Sequence, residues 1–307
     1  MNIQKLLLRL YPRAWRTRYE EEFLVVLASH PFSLFEGIDL IRGAFDAQLH
    51  PGLGTTGMPL PERTRQMLST LRSSLLIMFC AYIGVILAGM GFQKLTESTI
   101  LQGAIQAHGL VGLSFHLVII GAVVALLAVL AGGVPIAFAV IRFALAQKRY
   151  GPLFLLAVPL LAFAIFLGTI LLMKAIDHPG TQPVWLLFLD RGILFGTLIA
   201  VAIISAGAVC LAVVRSEIPE KFLRFAVLPS TLTTLSMALI SAAIITWGLG
   251  LRYGAPQIFA GNDGIVGTST IGTWLGIIAA MIIATALSTL SLLRGLSAHS
   301  TLDHVAR

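Results

Sequence analysis

Apolar residues recur along this chain in runs of about 20, the length a helix needs to cross a hydrocarbon core roughly 30 Å thick. Six such runs can be drawn: 73–92, 113–134, 153–173, 192–214, 226–250 and 271–293. Backbone groups in lipid must find internal partners, so each run predicts a helix. The short alternating strands of a barrel do not occur. The apolar stretch around the second run extends from 109 to 143, too long for one crossing at about 1.5 Å per residue. Gly132, Gly133 and Pro135 permit a break there. The span is therefore expected to end near Val134, with a short interfacial helix after it carrying Arg142, Lys148 and Arg149 beside Ile136, Phe138 and Phe143.

The first 50 residues follow a different pattern. Leu6, Leu7, Leu8 and Leu10 predict a short apolar helix carrying Lys5 and Arg9. Pro12 suits the first turn of a second helix. In it Trp15, Tyr19 and Phe23 recur every fourth residue and share one stripe. Arg16 with Glu20, and Arg18 with Glu22, are pairs at helical spacing, worth only tenths of a kcal/mol each. Ser33 followed by Glu36 is a capping-box pattern. It opens a third helix to about Gln48, with Leu34, Ile38, Ile41 and Phe45 expected inward. The stretch PGLGTTGMPLPERTR at 51–65 is rich in turn formers and reads as a linker.

The expected architecture is all-α: a polytopic membrane bundle of six transmembrane helices with a small helical cytoplasmic N-terminal unit. It divides into 1–50, the unit; 51–72, linker and juxtamembrane segment; 73–293, the transmembrane domain; and 294–307, a cytoplasmic tail. Composition agrees, with 57% hydrophobic and 11% charged residues against about 25% charged in an ordinary globular domain. The first long apolar run starts near Ser73, beyond the window of a cleavable signal peptide. Of the 21 Lys and Arg residues, 17 fall before the first span, in the segments 142–152 and 215–225, or after the last span. Only Lys94, Lys174, Arg191 and Arg252 fall on the other side. By the positive-inside rule both termini are expected in the cytoplasm and the protein in the inner membrane. The same split accounts for the +7 net charge without a nucleic-acid partner. Cys80 and Cys210 both lie within apolar runs and read as small buried hydrophobes.

Chemistry inside the spans is sparse. No Asp or Glu lies in any of them. His116 lies within one, with His108 on about the same helical face. A metal or haem role would need a second ligand helix, and no other span carries a His. A hydrogen-bonded core His is the simpler reading. Gly192 with Gly196, and Gly272 with Gly276, are GxxxG pairs that let helix backbones approach, within the bundle or between copies. Ser230, Thr231, Thr233, Thr234, Ser236 and Ser241 put hydroxyls along the fifth span, for packing or for a wet path. Asp177–His178 and Asn262–Asp263–Gly264 read as turns. No phosphate-binding loop, zinc-protease helix or nucleophile elbow is present. No catalytic residue, cofactor or metal is expected.

The segment LYPRAWRTRYEEEF at 10–23 resembles a short prefix, roughly L-Y-P-x-x-W/F-R-x-R-Y-x-x-E. It precedes the first span of some bacterial membrane proteins, among them permease-like proteins of the macrolide-exporter type and stand-alone multi-pass proteins of unknown function. Leu10, Tyr11, Pro12, Trp15, Arg16, Arg18, Tyr19 and Glu22 carry the match; Glu20 stands where Gly is frequent. Exporters of that type have a large domain between their first two spans. Here the gap is only 93–112, so the chain looks like the stand-alone type. The resemblance itself brings no activity; the expected function is a non-enzymatic sensory, regulatory or assembly component acting through the N-terminal unit, with the lipid bilayer and a cytoplasmic protein as partners. Two readings of Trp15, Arg16, Arg18, Tyr19, Glu22 and Phe23 stay open: core of the unit, or a binding face. The alternative function is a permease subunit served by a separate ATPase. A lipid-modifying enzyme would need acidic or His residues clustered at one membrane face, and none cluster.

Overall fold

A computed structural model describes residues 3–28, 33–50, 59–97, 102–103, 108–176, 184–261, 264 and 269–306. Among these the secondary structure is helical, without strands. The helices are α1 (Ile3–Leu8), α2 (Arg13–Ala28), α3 (Leu34–Leu49), α4 (Leu60–Thr96), α5 (Gly109–Ala146), α6 (Gly151–Ile176), α7 (Val184–Arg215), α8 (Glu220–Phe225), α9 (Val227–Gly254), α10 (Pro256–Phe259) and α11 (Thr270–Ala306). Among the described residues six helical stretches are long and apolar enough to cross a membrane. This is a multi-pass membrane protein.

Contacts divide the chain into two units. The first comprises 1–77 and 289–307. In it Leu8, Tyr11, Leu40, Ala44 and Ala47 form one apolar cluster, and Met67, Ala298 and Leu302 another. The second cluster joins the early turns of α4 to the late turns of α11. There Ser291 donates a hydrogen bond to the Ser74 carbonyl, and Gly295 lies against Leu71 and Ser74. The segments expected as linker and as tail are therefore in part helical: α4 begins at Leu60 and α11 runs on to Ala306.

The second unit, 78–288, is built around α9. Half of the apolar window in the α8–α9 stretch is buried, against 11% for α6. Met237, Ile240, Ile244, Trp247 and Leu251 of α9 meet Val85 and Phe92 of α4, Val111 and Val118 of α5, and Ile277 and Met281 of α11. Along α5 the buried positions from 114 to 132 are small or medium-sized: Ser114, Val118, Gly121, Ala125, Ala128 and Gly132. They repeat at three- and four-residue steps, the seam of a left-handed helix pair. The seam runs antiparallel to α9 in constant register, since Val111 meets Gly250, Gly121 meets Ile240 and Gly132 meets Pro229. Helices α6 and α7 pack chiefly on each other.

The expected break at Val134 does not occur. Helix α5 continues through Pro135 to Ala146. Proline removes one donor and crowds the carbonyl four residues back. Packing on both sides of it holds the helix in line: Gly132 against Pro229, then Ala139, Val140 and Ala144 buried beyond.

Candidate functional site

In the N-terminal unit the aromatic stripe forms a stack. Tyr11 lies 4.2 Å from Trp15 between ring centroids, at an interplanar angle of 28°. Trp15 meets Tyr19 at 5.4 Å and, edge-on, Phe23 at 5.0 Å. Trp15 and Phe23 are half-buried against Leu8, Leu40 and Ala44. Tyr11 is the most buried ring of the four, although Pro12 separates it from the helical stripe. Arg18 and Glu22 are exposed, and the Arg18 guanidinium lies 5.2 Å from the Tyr19 ring centroid. Arg16 is half-buried, and its Nε has no hydrogen-bond partner among the described residues. Burial, and secondarily the Asp39 charge, raise the Tyr11 phenol above its ordinary value.

Helix α3 starts as its sequence predicts. The Ser33 hydroxyl accepts from the Glu36 N–H at 3.2 Å, and the Glu36 carboxylate accepts from the Ser33 N–H at 3.1 Å. Its inward face is not the expected one. Gly37, Leu40, Ala44 and Ala47 are buried, whereas Ile38 is 63% exposed and Phe45 51%. Phe35, at 85% exposure, and Ile41 extend the same outer stripe. The Leu34 side chain lies outside the described residues. Close approach explains the inversion. Gly43 faces the Tyr11 hydroxyl so closely that a Cβ there would lie 2.5 Å from it. Small residues admit the neighbouring helix, and the large ones are left outside. The outer stripe is flanked by Glu36, Asp39, Arg42 and Asp46, so this surface is apolar and net acidic.

The candidates in the membrane part do not assemble a centre. His116 is exposed, and its Nδ1 lies 2.7 Å from the Gly112 carbonyl, a bond within its own helix. His108 stands at the N-cap position of α5 without a side-chain capping bond, and its ring rests against Gly254. No group of three or more metal-ligating side chains occurs among the described residues. Asp177, His178, Asn262 and Asp263 lie outside them. Around Gly192, Gly196 and Gly276 there is open space, and Gly272 meets only the Ser269 hydroxyl of its own helix start. Other helices come tightly against Gly121, Gly132, Gly248 and Gly250, and more loosely against Gly84 and Gly295.

The α9 hydroxyls reach α11. Thr234 lies 2.7 Å from Ser288, and Ser241 lies 2.9 Å from Thr285. Thr234 and Ser241 can each also give a proton to a carbonyl one turn back. In each pair either hydroxyl can donate across the helices. An open groove at the α5 start, bordered by His108, Thr246 and Tyr253, sets no nucleophile beside a base.

Comparisons with family models, with curated proteins and with solved structures give no match to this chain.

Proposed function

We propose that this protein is a non-enzymatic component of the bacterial inner membrane that works through its N-terminal unit, as a docking or regulatory module for a cytoplasmic protein. The observation that carries the reading is the outer stripe of α3: Phe35, Ile38, Ile41 and Phe45 lie exposed while smaller neighbours fill the core. Burying such side chains is worth about 1.5–3 kcal/mol each, and large apolar residues anchor interfaces. Glu36, Asp39 and Asp46 beside the stripe disfavour an anionic bilayer surface and favour a protein groove edged by Lys or Arg. The placement of basic residues supports a cytoplasmic location for the unit.

The test is a photo-cross-linking amino acid at Ile38 or Phe45 in living cells. A discrete protein adduct that disappears with Phe35→Glu supports the reading. Adducts to lipid alone would mean that α3 lies on the membrane, and no adduct at either site would remove the docking role.

A further inference from the structure

The chain has two cysteines. They stand 130 residues apart in sequence, yet the structure brings their sulfurs to 3.7 Å. Cys80 lies on α4 and Cys210 on α7, both in the second unit. Cys80 is exposed and Cys210 partly so. Arg72 and Arg215 stand where the two apolar runs meet the same membrane edge. Counting from them at 1.5 Å per residue puts the thiols roughly 12 Å and 7 Å inside the hydrocarbon. Thiols there are out of reach of water-borne glutathione, and the exposed side of Cys80 faces acyl chains. Packing accounts for each cysteine as a small apolar group, but not for their meeting. A disulfide needs the sulfurs at about 2.05 Å, so closure asks for a movement of less than 2 Å. Helix α7 belongs to the α6–α7 pair, which packs chiefly on itself. A bond to α4 would act where that pair is least held.

We infer that Cys80 and Cys210 are a reactive thiol pair, which an organic hydroperoxide dissolved in the bilayer oxidises to a disulfide between α4 and α7. The Cys80 sulfur attacks the terminal oxygen of the hydroperoxide. The O–O bond breaks, an alcohol leaves with the thiol's proton, and Cys80 becomes a sulfenic acid. The Cys210 sulfur then attacks the Cys80 sulfur. The S–S bond forms, the S–O bond breaks, and the hydroxyl leaves as water with the Cys210 proton. The two thiols lose two electrons, and the hydroperoxide is reduced to alcohol and water.

A protease site inserted between Lys148 and Arg149, in the exposed turn after α5, separates the two cysteines onto different fragments. The full chain in native membranes is reduced, treated with cumene hydroperoxide, blocked with N-ethylmaleimide and cleaved. On a non-reducing gel the fragments should stay joined, part on adding dithiothreitol, and part without it in Cys80→Ser and Cys210→Ser. Fragments that separate after oxidation of the parent overturn the pair. So does joining that survives either substitution. Hydrogen peroxide at equal concentration should be slower; equal speed would overturn the membrane-dissolved oxidant. Mass spectrometry of the uninserted chain, seeking the Cys80-to-Cys210 cross-linked peptide, reads the same outcome if the insertion disturbs folding.

Discussion

The Trp274 indole lies so close over Gly248 that a Cβ on that glycine would sit 2.0 Å from Trp274 Cε2. The Trp274 N–H donates to the Ile244 carbonyl at 3.0 Å, one turn back on the same helix. The ring thus spans the α9 backbone, with glycine as its seat. Gly248→Ala must push Trp274 off that bond or separate α9 from α11. Overpacking of a tight core costs about 1–3 kcal/mol, and loss of the indole bond adds about 1. Thermal unfolding in mild detergent should show the loss for Gly248→Ala. Gly276→Ala, where the neighbouring space is open, should be neutral or slightly stabilising through helix propensity.

That contrast shows what the sequence made legible. The six apolar helices follow from run length, and the start of α3 from Ser33 and Glu36. Which face of each helix is buried does not follow from hydrophobicity, because lipid and core are equally apolar. The GxxxG spacing singled out Gly192, Gly196, Gly272 and Gly276, yet neighbouring helices approach other glycines. The better signal was present: small residues at 114, 121, 125, 128 and 132 follow a heptad rhythm along α5. On α3 the same logic reversed the expected face, since Gly37 and Ala44 admit neighbours that Ile38 and Phe45 would exclude. The Cys80–Cys210 meeting had no local signal, because it depends on how distant helices pack.

Trp15→Ala should loosen the N-terminal unit. Deleting a buried aromatic costs about 3–5 kcal/mol, and a half-exposed ring somewhat less, still a large share of what so small a unit has. Limited proteolysis should cut rapidly at Arg13, Arg16 and Arg18 in the mutant and slowly in the parent. Ile38→Asp, on the exposed stripe, should leave the parent pattern unchanged. Equal resistance of Trp15→Ala and the parent would assign the aromatics to binding and not to folding.

Alkaline pH should loosen the same unit. The folded-state pKa of Tyr11 is raised, chiefly by burial. The folded form therefore holds its proton more tightly than the unfolded one. The associated stability is fully present below the ordinary tyrosine value of about 10 and declines as pH rises through the folded value. Proteolytic susceptibility of residues 1–50 should rise above about pH 10. Tyr11→Phe, which has no proton to lose, should flatten the part of that rise due to Tyr11. An unchanged profile in Tyr11→Phe would assign the transition to other groups.

Orientation is open to a direct test. The positive-inside rule predicts Thr55, Gln147, Glu220 and Ser300 on the cytoplasmic side and Gln102, Thr181 and Asn262 outside. Single cysteines at these positions, in a Cys80→Ser, Cys210→Ser background, should divide into two groups toward an impermeant thiol reagent. In intact cells with a permeabilised outer membrane, only the second group should react. After the inner membrane is opened, both should. Gln147 and Glu220 are the informative sites, because Gln147 directly follows α5 and Glu220 opens α8, so they report on the internal cytoplasmic segments separately from the termini. Arg142, Lys148, Arg149, Arg215, Lys221 and Arg224 surround them, and moving that charge across the membrane would be strongly unfavourable. Labelling of Gln147 in intact cells while Ser300 stays protected would falsify the six-crossing topology, since an odd number of crossings would then separate them.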